Sequence, residues 1–386
     1  VYADHAATAP LRPEVEETLL RHLRQPLNPS SVHGAGQHAR RLLEEARARL
    51  AAVIGVAPEE VVFLSGASEA NNLALRGLAM RETLRGARLH VVTSALEHSC
   101  VRETVAALDR YGAIGVTRLP VREDGRADIS SLTDPSGPAL LALMAVQNET
   151  GALQDLDAAR AWRQRTGQAW LCDAAQGLGR IGLRGLGASL VTLSSHKIGG
   201  PAGVGALAGP GVRELVPQIT GGPQEHGRRA GTQAVALACA FAHAAELAEA
   251  GREAARAHLA AAEQAILRAL AHRGVAFRIN APEHRQPGIL SLSIAGLDGP
   301  DAVVALSLRG IDASSGAACA TGVMEASPAL LAMFPRDEAR ARSAIRISLG
   351  MQNSLDGAQR IADALAQLAA AQGAADPPRS GPQRGT

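Results

Sequence analysis

From residue 61 to 209, short apolar runs alternate with amphipathic segments: VVFLS at 61–65, LHVVTS at 89–94, ALLALMAV at 139–146, AWLCDAA at 169–175, LVTLSS at 190–195 and VGALAG at 204–209. Helical patterns lie between several of them, at 68–84 and 98–111. This alternation of strand and helix signals predicts an α/β domain with a mostly parallel sheet flanked by helices. Its chemistry is then expected at the carboxyl ends of the strands. After residue 232 an Ala-rich helical stretch runs toward 273, and the pattern changes to VAFRIN at 275–280, ILSLSIAG at 289–296, a helix near 301–309 and AIRISL at 344–349. These predict a smaller α+β domain. The expected division is a large domain over 12–250 and a small one formed by 1–11 and 251–370. A last amphipathic helix is read at 355–370, and the Pro-, Gly- and Arg-rich stretch 371–386 is expected to be disordered.

Composition narrows the class. At 386 residues, 46% hydrophobic and 20% charged, the chain is long enough for one large core and a second domain. The formal net charge is +2, its charges are interspersed, and aromatics are only 2%. Neither a basic face nor stacking platforms therefore point to nucleic acid. No stretch reaches the roughly 20 apolar residues of a membrane span and no leader opens the chain, so a cytoplasmic protein is expected. The four cysteines, Cys100, Cys172, Cys239 and Cys319, lie far apart without CxxC spacing. Free thiols are expected rather than disulfides or a structural zinc site.

Lys and Arg together number 39, and Lys197 is the one lysine. An ε-amine can lose its proton and attack a carbonyl, which a guanidinium cannot. Lys197 follows an apolar run and precedes the turn Gly199-Gly200, which suits a reactive side chain at a strand end. Asp173 closes the preceding strand, so both reach one sheet edge. A carboxylate facing a ring nitrogen, together with an amine that forms a Schiff base, is what pyridoxal phosphate requires. Ser65-Gly66-Ala67-Ser68 offers a strand, a turn and a helix start where backbone N–H groups can hold a phosphate, although an ordinary helix cap reads the same way.

His98 stands at another strand end, as either a proton shuttle or a helix-start residue. Gln176 and Asn148 also follow strands. Arg346, alternating with apolar neighbours, can point toward a substrate carboxylate. Cys319 lies in the small-residue run SSGAAC and is expected to be exposed and mobile, whereas Cys172 reads as a buried strand residue.

Taken together, the motifs SGASEANN at 65–72, EHSCV at 97–101, QNETG at 147–151, DAAQGLG at 173–179, SSHKIGGP at 194–201, RRAGT at 228–232, SSGAAC at 314–319 and IRISLG at 345–350 resemble the pyridoxal-phosphate cysteine desulfurases of iron–sulfur cluster assembly, within the class V aminotransferase superfamily. The likeness runs from Tyr2 to about Gly350. It implies the fold type I architecture of pyridoxal-phosphate transferases. By the same resemblance Lys197 carries the cofactor, Asp173 bonds its ring nitrogen, Gln176 its ring hydroxyl, and His98 stacks on it and moves protons. Ala67, Ser68, Ser194 and His196 would hold the phosphate, with Ser195 beside them. Thr232 would reach the phosphate of a neighbouring subunit, implying a homodimer.

Asn148, near the cofactor, and Arg346 would hold the carboxylate of L-cysteine, while Cys319 would take its sulfur as a persulfide and pass it to an iron–sulfur scaffold or sulfur carrier. The sequence departs from the family where Ser195 and Ala202 stand, for the usual Gly and Lys, and along GGPQEHGRR at 221–229. A selenocysteine lyase or another class V aminotransferase would use the same cofactor residues. A sulfur-delivering scaffold without efficient turnover is the alternative from outside enzymology.

Overall fold

In a computed structural model of the chain, residues 1–316 and 326–375 are described. Cys319 and the stretch from 376 onward lie outside them. The large sheet has seven strands: β1 (Val61–Leu64), β2 (Leu89–Ser94), β3 (Ile114–Leu119), β4 (Ala139–Ala142), β5 (Ala169–Asp173), β6 (Leu190–Ser194) and β7 (Gly205–Ala208). Their order is β1-β7-β6-β5-β4-β2-β3. Only β7 runs antiparallel to its neighbours.

Helices cover both faces, so the strands are apolar on both. In β1, for example, Val61 and Phe63 enter one core while Val62 and Leu64 enter the other. One face receives Leu75 and Leu78 of the helix Ala67–Leu84 together with Val101 and Val105 of the helix Ser99–Arg110. The opposite face is filled by Leu43, Leu50, Trp162 and Phe241.

The second sheet is antiparallel, with β8 (Phe277–Asn280), β9 (Ile289–Ile294), β10 (Ser314–Ser315) and β11 (Ala344–Ser348) in the order β10-β11-β9-β8. It has its own core, built from Leu290, Leu292, Ile345 and Ile347 against Ile266, Leu270, Ile361 and Leu365.

The last helix spans Leu355–Ala375, so 371–375, expected to be disordered, continue it, and two further elements differ from the sequence reading. β3 went unread because it is an edge strand in which Thr117 and Arg118 are exposed, so no continuous apolar run marks it. The stretch read as one helix from 232 toward 273 is two, Val235–Ala250 and Arg252–His272, meeting at Gly251. Glycine is a poor helix former. Here it also separates a helix packed in the large-sheet core, through Ala238 and Phe241, from one packed in the small-sheet core, through Leu259 and Ile266.

The first residues tie the sheets together. Tyr2 bridges Asp312 and Asp4 bridges Ser348 beside the small sheet, after which Ala9 N–H donates to the His196 carbonyl at 2.8 Å and Arg12 N–H to that of Gly199 at 2.9 Å.

Candidate active site

The carboxyl ends of β1, β2, β4, β5 and β6 open onto one cavity of about 1010 Å³. Lys197, Asp173, His98, Asn148, Gln176 and Arg346, named from the sequence, all line it. Ala67, Ser68, Ser194 and His196 line it too.

Lys197 sits in the turn after β6, where Gly199 takes φ +81° and a Cβ would stand 2.6 Å from the Arg12 side chain. Only glycine suits that position. Lys197 Nζ donates to the carbonyls of Ala6 at 2.6 Å and Ala7 at 2.7 Å. Burial, then the nearby Arg346 and Arg180 charges, push its pKa down to about 8. Part of the amine is therefore neutral, and nucleophilic, close to neutral pH.

Asp173 ends β5 and is buried. Its Oδ1 accepts from Ala175 N–H at 2.9 Å, and its Oδ2 from Asn71 Nδ2 at 2.7 Å. The amide of Asn71 is fixed in turn, because its Oδ1 accepts from the Thr192 hydroxyl at 2.7 Å. Asn71 was not singled out in the sequence. The available signal was a polar residue heading the apolar stripe Ala74, Leu75 and Leu78 on one helix face.

His98 caps the helix Ser99–Arg110, its Nδ1 accepting from Cys100 N–H at 3.3 Å. Loss of solvation lowers its pKa, partly opposed by Asp173. The preceding Glu97 is buried; Oε1 accepts from Met144 N–H at 2.9 Å and Oε2 has no partner. Burial pushes that carboxyl up to about 8.

The helix Ala67–Leu84 starts without a side-chain cap, and a Cβ on Gly66 would meet open space. Its first-turn N–H groups are thus available to an anion. The start is braced from outside, since Glu69 accepts from Ser65 N–H at 2.6 Å and pairs with Arg229 at 3.0 Å. His196, with Nδ1 3.1 Å from the Thr8 hydroxyl, is pushed down to about 4 by burial and by Lys197, so it is neutral.

Ser195 is not brought to the cavity, and Thr232 was expected at that of a neighbouring subunit. Ser195 is fully buried with an unpartnered Oγ, and a Cβ on Gly200 would come within 2.2 Å of that oxygen. It packs into the lysine turn instead. Thr232 is exposed and lies off the cavity in the single chain.

Gln176 donates from Nε2 to the Ala6 carbonyl at 2.7 Å, while its Oε1 accepts from Arg180. Arg346 donates from Nη1 to the Asn148 carbonyl at 3.2 Å, and its Nε is buried without a partner.

These groups fit pyridoxal phosphate. An uncapped helix start suits the phosphate, a depressed amine suits the aldehyde, and Asp173 keeps a lone pair for a ring N–H. Among the described residues no group of three or more His, Cys, Asp or Glu could hold a metal ion, and no helix is long and apolar enough to cross a membrane. The described thiols Cys100, Cys172 and Cys239 are free.

Comparison with known proteins gives the family. The profile of the family described as aminotransferase class-V matches residues 1–361. "Putative cysteine desulfurase IscS 1" of Bacillus subtilis (strain 168) is 33% identical over 378 residues, covering 95% of this chain and 99% of that protein. A solved structure described as "NIFS-LIKE PROTEIN" aligns with a TM-score of 0.87 at 30% identity, over 96% of this chain and 99% of its own. Another, "SspA in complex with cysteine", aligns with a TM-score of 0.78 at 29% identity, over 90% and 98%. On this match across most of its length and on these relatives, the chain belongs to the class V aminotransferase family.

Proposed function

We propose that this chain is a cysteine desulfurase, converting L-cysteine to L-alanine and receiving the sulfur on Cys319 as a persulfide. The observation that carries the reading is one cavity shared by Lys197, Asp173, His98 and Arg346, with Ser314, Ser315 and Gly316 on its wall. Cys319 lies three residues beyond Gly316, outside the described residues.

Pyridoxal phosphate, the cofactor of this family, supplies an electron-withdrawing ring that stabilises negative charge at the substrate Cα. Asp173 keeps the ring nitrogen protonated, and Asn71 and Ala175 N–H hold Asp173 in place. Arg346 and Asn148 bind the substrate carboxylate, which orients Cα toward Lys197. The Lys197 amine, depressed toward neutrality, takes and returns the Cα proton, and His98 moves protons on the ring side. In the net reaction the cysteine C–S bond breaks, an S–S bond to Cys319 forms, and the former thiol proton and the Cys319 proton are redistributed between alanine and the persulfide.

The division into 12–250 and 1–11 with 251–370 suits this chemistry, since Lys197 comes from the first unit and Arg346 from the second. We read Thr232 as reaching the phosphate of a second copy, which makes the enzyme a homodimer. The persulfide then goes to an iron–sulfur scaffold or sulfur carrier in the cytoplasm.

The test is incubation of the purified, cofactor-loaded protein with L-cysteine, measuring alanine, sulfide and the mass of the chain. One equivalent of alanine and a gain of one sulfur atom on Cys319 are expected. Undiminished sulfide release by Cys319→Ala would refute the persulfide step.

A further inference from the structure

Cys100 plays no part in the chemistry described so far, yet its sulfur lies against two residues that do. Sγ is 3.1 Å from His98 Nδ1 and 3.3 Å from Asn71 Nδ2. The proton directions follow from the neighbours. Asn71 Oδ1 is occupied by the Thr192 hydroxyl, so its NH₂ group faces both Asp173 and the sulfur. His98 Nδ1 already accepts the Cys100 backbone N–H, so it presents a lone pair. The Ser68 side chain also hydrogen-bonds the sulfur; with the thiol accepting from Asn71, its S–H donates to His98 Nδ1 and shares that nitrogen's one lone pair with the Cys100 backbone N–H.

We propose that Cys100 is a positioning residue for His98, its S–H holding the imidazole in the tautomer that carries its proton on Nε2. The thiol also joins His98 to the carboxylate that faces the cofactor ring, because Asn71 bonds both Cys100 and Asp173. Burial pushes the thiol up to about 11, so it remains a donor across the working pH range. Other charges face the ring as well: Asp173 at the end of β5 favours its protonated form, while Lys197 after β6 and Arg102 on the same helix disfavour it. Glu97 lies immediately before it in the chain. Against that fixed background, losing the thiol removes one donor from the neutral ring and makes Nδ1 easier to protonate.

The inference rests on the proposed role of His98 as a proton carrier, so its test includes a readout independent of turnover. In holoenzyme labelled with ¹⁵N-histidine, the His98 ring, assigned by its loss in His98→Gln, is expected to show an unprotonated Nδ1 and a protonated Nε2. Cys100→Ala should raise His98 proton affinity about fivefold, roughly the worth of one net hydrogen bond. It should also move the acidic limb of the kcat profile upward and lower kcat with KM unchanged. Cys100→Ser, which keeps a hydroxyl donor, should restore the wild-type titration.

A protonated Nδ1 in the wild type overturns the proposal even if Cys100→Ala fails to fold. A Cys100→Ala titration curve that overlays the wild type overturns it too. Failure of the underlying reading looks different: His98→Gln would then release alanine from L-cysteine at the wild-type rate while the tautomer stays as expected.

Discussion

Arg346 Nη2 donates to the Asp4 carboxylate at 2.6 Å, so the cation expected to hold the substrate carboxylate is already ion-paired. On the proposed role of Arg346, a substrate carboxylate would share this guanidinium with Asp4, through its remaining N–H groups. Like charges on one guanidinium repel. Asp4→Asn keeps an acceptor for Nη2 but removes the charge, and should lower KM for L-cysteine about threefold. Steady-state kinetics at constant ionic strength would check this, and an increase in KM would contradict it.

Lys197 makes stability depend on pH in the alkaline range. Its folded pKa of about 8 lies below its ordinary 10.5. Between these values the unfolded chain holds the proton and the folded chain does not, so stability rises with pH over that window. Below 8 the penalty is fully present. Urea unfolding of cofactor-free protein should show this rise, on the order of 2 kcal/mol after allowing for partial exposure, and Lys197→Met should flatten it.

Asn71 is fully buried and holds the Asp173 carboxylate. Asn71→Ala removes a hydrogen bond to a charged group and leaves the Thr192 hydroxyl without its acceptor. A loss of about 2 kcal/mol in stability is expected. Weaker retention of pyridoxal phosphate should accompany it, read from the visible absorbance of the lysine-bound cofactor during dialysis. Unchanged retention would remove Asn71 from the site.

Glu97 has the opposite sign to Lys197. Its folded pKa of about 8 lies above its ordinary 4.5, so between these values the folded state holds a proton that the unfolded state has lost. Stability falls as pH rises through that window. Glu97→Gln, which mimics the neutral acid and keeps an acceptor for Met144 N–H, should remove the slope. Urea midpoints at pH 5.5 and 7.5 for both proteins would measure it.

The legible part of the site follows from backbone position. Asp173, His98, Ser194 and Lys197 each stand at or just beyond the end of an apolar run, and parallel strands bring such ends together whatever their order in the sheet. The rest depended on contacts between segments distant in sequence. Nothing near Lys197 in sequence announces that Ala6 and Ala7 hold its amine, nor does Arg346 signal that Asp4 is its partner. Ser195 looked like its neighbours, but it lies just beyond β6 in the lysine turn, where its side chain packs against Gly200. The edge strand β3 escaped because solvent on one side dilutes its apolar signal.

The segment from Asp4 to Ala9 behaves as a tether with its ends on different bodies. Asp4 is fastened beside β11, which carries Arg346; Ala6 and Ala7, in the middle of the segment, present the two oxygens that restrain the lysine; and Ala9 is fastened to His196. Because Asp4 also pairs with Arg346, one short stretch of backbone sets the position of both the guanidinium and the lysine amine.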